Sequence, residues 1–213
     1  MPPALIFDLD GTLVDSLPGI AAALNAALRE HGFPDHPMQK VAGFVGSGAF
    51  LLCRRAIPPG ASDPHARKVE QAFKRLYAEH WPEGTTLFPG IGSLIERLAD
   101  GGRRLAVLSN KPDAFTREMV DHLFPRRPFD IVRGQIDGSP RKPDPASVRP
   151  LLDSWHLAPD ACRLIGDSDI DRETAEAAGI PFIGVAWGYQ PPENLGSRVA
   201  EDVRGLETLL VSG

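Results

Sequence analysis

The sequence predicts an α/β chain organised on a parallel sheet, and two observations carry that prediction. Short apolar runs, Ala4-Leu5-Ile6-Phe7, Leu105-Ala106-Val107-Leu108 and Arg163-Leu164-Ile165-Gly166, alternate with stretches of helical spacing. Each run is followed at once by chemistry-bearing residues: Asp8-Leu9-Asp10-Gly11-Thr12, Ser109-Asn110-Lys111 and Asp167-Ser168-Asp169-Ile170-Asp171. Lys142 arrives in the loop Arg141-Lys142-Pro143-Asp144-Pro145. Strands of parallel sheets are buried on both faces and read as continuous apolar runs, and ligands bind beyond their carboxyl ends. The polar groups are therefore expected to meet on one edge. Aspartates gathered there without a neutralising histidine would repel one another, unless a divalent cation and a lysine share the site with an anionic substrate.

Taken in order, residues 4–7 read as a buried strand and 17–30 as an Ala- and Leu-rich helix ended by His31-Gly32-Phe33-Pro34. From there to about residue 87 the pattern is helical or loop-like, clearest over 49–56 and 64–80, with no convincing strand. The stretch 15–86 is a candidate inserted domain, and Phe88-Pro89-Gly90 is its return linker. Helices at 91–100 and 114–123 then alternate with strands at 105–108 and 130–132. A helix at 151–155, a strand at 162–165, a helix at 173–178 stopped by Gly179 and a strand at 181–185 continue the rhythm. The domain reading is a core of 1–14 and 87–213 with a helical insertion between. No internal repeat or low-complexity segment interrupts it.

The 213 residues suffice for one large core, or one core with a smaller accessory domain. A formal net charge of -5 gives no electrostatic case for nucleic acid or an anionic membrane surface. Cys53 and Cys162 are few and far apart, which favours reduced thiols over a disulfide. The chain runs from Met1-Pro2-Pro3 straight into the first strand, without a leader pattern or a run of membrane-spanning length. A cytoplasmic monomer or homodimer is the expectation.

The chemistry follows from residue types. An aspartate at a strand end, Asp8, can attack phosphorus and form an aspartyl phosphate, dividing hydrolysis into two in-line displacements. Asp10, two residues on, can protonate the leaving oxygen and then deprotonate water, work typically contributing on the order of 10²–10⁴-fold. Ser109 can donate to phosphoryl oxygens, and Lys142 can neutralise developing charge beside Asp8. With hard oxygen ligands only, Mg²⁺ is the expected ion, held by Asp8, the backbone carbonyl of Asp10 and Asp167, with Asp171 acting through water. Taken singly, Asp10-Gly11 is an ordinary turn signal, Lys142 a solvated charge and Asp167-Ser168 a helix cap. In one order on one sheet edge they favour catalysis. Trp81, Trp155, Trp187 and the six histidines read as packing or surface residues.

Four segments carry a family resemblance. Phe7-Asp8-Leu9-Asp10-Gly11-Thr12-Leu13-Val14-Asp15-Ser16, Ser109-Asn110-Lys111-Pro112, Lys142-Pro143-Asp144-Pro145 and Gly166-Asp167-Ser168 to Asp171 resemble the four motifs of the haloacid-dehalogenase-like hydrolases, in order and spacing. Within that superfamily the chain is most similar to the phosphoglycolate phosphatases, because Gly46-Ser47-Gly48 with Arg55-Ala56 resembles their cap segment. The resemblance implies a Rossmann-like core of strand order 5-4-1-2-3, a helical cap inserted after the first strand, and Mg²⁺-dependent hydrolysis of 2-phosphoglycolate. It also places Thr12, Asn110, Gly46, Ser47, Gly48 and Arg55 toward the substrate, with Arg55 a candidate to grip a carboxylate bidentately. One departure touches the metal site: Asp169-Ile170-Asp171 stands where Arg-Asn-Asp is common.

Two rival readings remain. Another small phosphorylated metabolite, such as a sugar phosphate, could be the substrate, since the motifs report only the phosphoryl end. A catalytically silent phosphate-binding scaffold would be expected to have lost Asp8, Asp10 or Lys142, and all are present. Dehalogenases and phosphonatases of the superfamily lack an aspartate at the position of Asp10. A β-phosphoglucomutase would be expected to carry a histidine after Asp15-Ser16, where this chain has Leu17-Pro18-Gly19-Ile20.

Overall fold

A computed structural model describes residues 4–211; residues 1–3, read above as leading directly into the first strand, lie outside them. The first strand, β1 (Ala4–Phe7), is buried along its whole length. It lies between two parallel neighbours, β4 (Leu105–Pro112) on one side and β6 (Cys162–Gly166) on the other. Outside these lie β5 (Ile131–Gln135), β7 (Phe182–Val185) and β8 (Val199–Ala200), giving one six-stranded sheet in the order β5-β4-β1-β6-β7-β8. The expected order 5-4-1-2-3 is contained in it. The correction is the sixth strand, Val199–Ala200, too short for a sequence pattern to announce but paired in parallel with β7 through Gly184 and Val185.

Alternation along β1 divides the core between the two sheet faces. Leu5 and Phe7 join one buried cluster, whereas Ala4 and Ile6 join the other with Ala106, Leu108, Leu151, Trp155 and Leu164. Helices cover both faces: α5 (Ile91–Asp100), α6 (Asp113–Leu123), α7 (Arg149–Trp155), α8 (Asp169–Ala178) and α9 (Val203–Val211). Buried parallel strands need such cover, because neither face can meet water. The final helix α9 was not anticipated from sequence, although its buried Leu206 and Leu210 follow the four-residue helical period.

Between β1 and β4 the chain makes a helical excursion. It comprises α1 (Leu17–Glu30), α2 (Met38–Ala42), α3 (Ala49–Ala56) and α4 (Asp63–His80). In α1 the buried residues Ile20, Ala21, Ala23, Leu24, Ala27 and Leu28 recur at helical spacing, and Gly32, in a left-handed conformation at φ 73°, follows its end. These helices share the cluster of Leu5 and Phe7 through Leu24, Leu28, Val69 and Phe73. The absence of strands expected here needs correcting. The chain leaves and returns through a two-stranded antiparallel ribbon of β2 (Val14–Asp15) and β3 (Thr86–Leu87), with Val14 opposite Leu87 and Asp15 opposite Thr86. Two residues per strand fall below any detectable alternation. The helix α2 was likewise missed, being only five residues long.

Cys53 and Cys162 are buried, unbonded thiols. Among the described residues no helix is long and apolar enough to cross a membrane.

Candidate active site

The carboxyl ends of β1, β4 and β6 deliver their polar residues to one edge, as the sequence implied. Asp8 follows β1 directly, and its backbone N–H donates to Ile165 of β6 at 2.9 Å, fixing the turn off the sheet. Gly11, at φ 86°, completes that turn; a Cβ there would collide with the carboxylate of Asp167. The loop therefore lies flush on the residue that follows β6.

Asp171 is oriented by helix chemistry. Ser168 caps α8, and Asp171, at its third position, accepts back from Ser168 through both the backbone N–H at 3.2 Å and Oγ at 2.5 Å. This reciprocal cap turns the other carboxylate oxygen of Asp171 toward Lys142, whose Nζ lies 2.6 Å away. The same Nζ lies 2.7 Å from Asp8. The substitution of Asp169-Ile170 for the commoner pair before Asp171 leaves this arrangement intact.

Asp8, Asp167 and Asp171 can bring carboxylate oxygens within 4.8 Å of one another, all three residues buried. Asp167 is held by Thr12 Oγ1 at 3.2 Å and by the backbone N–H of Tyr189 at 2.7 Å. Burial, then the charge of Asp171, pushes Asp8 up to about 7; Lys142 pulls the other way and Asp10 adds to the rise. Asp167 is held well above the usual carboxylate range by burial and by Asp8 and Asp171. Lys142 is raised: burial works against its charge, but Asp171 and Asp8 outweigh it. One ammonium, shared by Asp8 and Asp171, is thus set against three crowded carboxylates. A divalent cation fits this donor set, which is hard oxygen throughout and short of positive charge.

Asp10 stands apart from that trio. Its carboxylate accepts from Ser16 Oγ at 2.5 Å and from Lys111 Nζ at 3.1 and 3.2 Å. Lys111 also donates to the hydroxyl of Tyr77, on α4, at 2.9 Å. Its ammonium is raised to about 12, since Asp10 and Tyr77 outweigh the opposing effect of burial. Lys111 sits inside the second motif yet received no role from sequence. Tyr77 could not have been found that way, because nothing local distinguishes it from other core residues of an amphipathic helix. Tyr189 is a further omission: besides holding Asp167, its hydroxyl accepts from the N–H groups of Ser16 and Leu17 at the start of α1.

A cavity of about 50 Å³ opens beside Asp8, with Asp10, Ser109, Asn110 and Lys111 on the sheet side and Gly46, Gly48 and Tyr77 on the helical side. Gly48, at φ 88°, lets the helical loop approach the strand so closely that a Cβ would lie 3.2 Å from the carbonyl of Asn110. Asn110 spends its amide on stitching: it donates to Gly46 O at 2.9 Å and Lys142 O at 2.8 Å, and accepts from Lys142 N–H at 3.0 Å. Thr12 turns to Asp167, and Ser47 is buried but does not line the cavity.

Arg55 is the clear disagreement. It lies seven residues along α3 from Gly48, donates to Phe44 O at 3.1 Å, and lines a separate groove with His36, Lys40 and Arg54. On α3 the cavity is lined by Ala49 and Leu52, whereas Arg54 and Arg55 line the other groove. The structure does not bring it to the site.

The chain is similar to known proteins over almost its whole length. A family model described as Haloacid dehalogenase-like hydrolase matches residues 5–185. A phosphoglycolate phosphatase of Rhodospirillum rubrum is 38% identical over 211 residues, covering 95% of this chain and 88% of the relative. One from Yersinia pseudotuberculosis is 35% identical over 197 residues, covering 91% and 83%. A solved structure from Lactobacillus delbrueckii subsp. bulgaricus superposes with a TM-score of 0.91 at 30% identity, covering 98% of both chains. A haloacid dehalogenase-like family hydrolase from Streptococcus pneumoniae gives a TM-score of 0.87 at 26% identity, covering 99% and 98%. With that family model spanning most of its length and relatives at 35–38% identity, the chain belongs to the haloacid-dehalogenase-like hydrolases and is an enzyme of their phosphatase branch.

Proposed function

We propose that this enzyme is a Mg²⁺-dependent phosphomonoesterase that works through an aspartyl phosphate on Asp8 and hydrolyses 2-phosphoglycolate to glycolate and phosphate. The observation that carries the reading is Asp8 itself: a buried carboxylate at the end of the central strand, 2.7 Å from Lys142 and open to the cavity. An Asp8 oxygen attacks phosphorus while the ester P–O bond breaks, and Asp10 gives its proton to the leaving oxygen. Asp10 then takes a proton from water, which attacks phosphorus and expels the Asp8 carboxylate. Lys142 stays beside Asp8 through both displacements and offsets the charge on the transferring group. Ser109, lining the same cavity, donates to a phosphoryl oxygen.

Asp8, Asp167 and the backbone carbonyl of Asp10 are the groups that would hold Mg²⁺. When bound, the ion supplies charge neutralisation for the phosphoryl oxygens and for the crowded carboxylates. Both oxygens of Asp171 are already engaged by Lys142 and Ser168, so its direct part is to position the lysine. The helical excursion over residues 15–86 acts as a cap on a core of 1–14 and 87–213. A cytoplasmic location belongs to the same proposal and accords with two free cysteines.

The test pairs a mutant with a substrate panel. Asp8→Asn is nearly isosteric but cannot attack phosphorus, so turnover should vanish from a folded protein. Activity above a few per cent of wild type in a preparation free of other phosphatases would sink the covalent mechanism. Full activity in excess chelator would remove the metal. A panel of phosphorylated metabolites on which a sugar phosphate wins would replace the substrate.

A further inference from the structure

The geometry points to Lys111, steadied by Tyr77, as the residue that reads the carboxylate of a short phosphorylated acid, which places substrate specificity on the core strand β4 instead of helix α3. This deepens the phosphoglycolate reading and rests on it. Beyond its sheet-side polar groups the cavity is walled by apolar residues, among them Val45, Leu52, Phe73 and Phe115. A second negative charge on the substrate would be costly against such a wall unless a fixed cation met it. Of the residues that line the cavity, Lys111 alone is a lysine or arginine.

The cavity sets the reach. Ser109 and Lys111 are two residues apart on β4, where its pairing with β5 slips between Leu108 and Pro112, and both line the cavity together with Asp8. A substrate with its phosphoryl group at Ser109 and Asp8 therefore meets Lys111 within a cavity of about 50 Å³, which leaves room for only a short link.

Lys111 is also prepared for the task. Its side chain is only 6% exposed, and its position is fixed from both sides of the seam. Asp10 accepts through two oxygens at 3.1 and 3.2 Å, and Tyr77 accepts at 2.9 Å. An ammonium has three N–H donors; one bifurcated toward Asp10 and one toward Tyr77 leave the third for a ligand. Tyr77 is itself locked, stacked on Phe73 at 5.4 Å and edge-on to Phe115 at 5.4 Å. The cation is thus preorganised, and ordering it costs the substrate little.

The experiment compares 2-phosphoglycolate with 2-hydroxyethyl phosphate, which replaces the carboxylate by a neutral CH₂OH. Because Lys111 also touches Asp10, Lys111→Met should slow both substrates, so the informative quantity is the ratio of their kcat/KM values. That ratio should fall by about 10–150-fold, the cost of a lost charge-assisted hydrogen bond. Tyr77→Phe, which keeps the ring and frees the ammonium, should lower it by about 2–10-fold. Lys111→Gln, which keeps a donor but no charge, replaces the Met variant should that fail to fold. Calorimetric binding of 2-phosphoglycolate to Asp8→Asn, with and without the Lys111 change, should show the same loss without turnover. A wild-type preference for 2-phosphoglycolate that survives every Lys111 variant overturns this inference alone and leaves Lys111 as a positioning residue for Asp10. A wild type without that preference overturns the substrate reading as well.

Discussion

Metal-free protein should lose stability as pH rises from about 4 to 7, and Asp8→Asn should abolish much of that loss. Asp8 is pushed up to about 7 in the fold from an ordinary carboxyl value of 3.8, first by burial and then by Asp171. A carboxyl with a raised folded pKa binds its proton more tightly when native. Its contribution is therefore fully present below pH 3.8 and is lost as pH climbs to 7. Roughly three pH units at about 1.4 kcal/mol each bound the effect near 4 kcal/mol, and relaxation of a coupled site reduces what is observed. Asp167, raised by the same crowding, acts in the same direction. Lys142 stays charged throughout this window and adds no slope. A chain of this length shifts about 2–4 °C in Tm per kcal/mol, so Asp8→Asn without metal should melt roughly 4–10 °C above wild type at pH 7.5 and close to it at pH 4. Mg²⁺ should stabilise wild type increasingly with pH and Asp8→Asn much less. Thermal melts in chelator and in Mg²⁺ at several pH values decide the matter. A wild type equally stable at pH 4.5 and 7.5 in chelator, or an Asp8→Asn variant less stable than wild type at pH 7.5, would refute the crowding argument.

The parts of this fold that sequence announced share one property: their signal is local and repeated. Ala4–Phe7 and the Leu105 run are apolar over a whole strand, and α1 repeats its buried positions for several turns. The β2–β3 ribbon and β8 have two residues each, and their existence depends on partners far along the chain. The polar edge of the sheet was legible for a related reason. Asp8 and Asp167 follow β1 and β6 directly, Asp10 lies two residues beyond Asp8, and Ser109 lies within β4 just past its apolar run, so finding the apolar runs located the residues. Arg55 failed because a sequence gives a helix's residue types without its direction, and α3 carries Arg55 away from the cavity that its first turn touches. Lys111 was overlooked for the opposite reason. It sat in plain view within the second motif, but its value comes from Asp10 beside it on the sheet side and from Tyr77, thirty-four residues earlier, on the helical side.

Lys142→Met removes the ammonium that Asp8 and Asp171 share, so activity should vanish and stability at pH 7.5 should fall by about 3–5 kcal/mol in urea titrations without metal, the usual cost of breaking a buried pair. A folded variant with full stability would show that the pair contributes nothing net. Arg55→Ala should change kcat/KM for 2-phosphoglycolate by less than about threefold, because its observed partner is a backbone carbonyl on the helical side. A selective loss on 2-phosphoglycolate of tenfold or more would return Arg55 to the substrate. Gly188→Ala tests whether Asp167 must be held closely for metal binding. Gly188 precedes Tyr189, whose N–H donates to Asp167 at 2.7 Å, and an added Cβ would strike the Asp167 side chain. Since that carboxylate is buried against the Asp8 loop on its other side, it cannot simply swing away; it must shift or the Gly188 loop must lift, breaking the Tyr189 bond. Either change should raise the Mg²⁺ concentration needed for half-maximal activity by about tenfold or more, in line with the loss usual when groups supporting a ligand are disturbed. Saturating Mg²⁺ should recover most of kcat, because Asp8, Asp10 and Lys142 are untouched. An unchanged Mg²⁺ requirement in a folded Gly188→Ala variant would mean that Asp167 does not hold the metal.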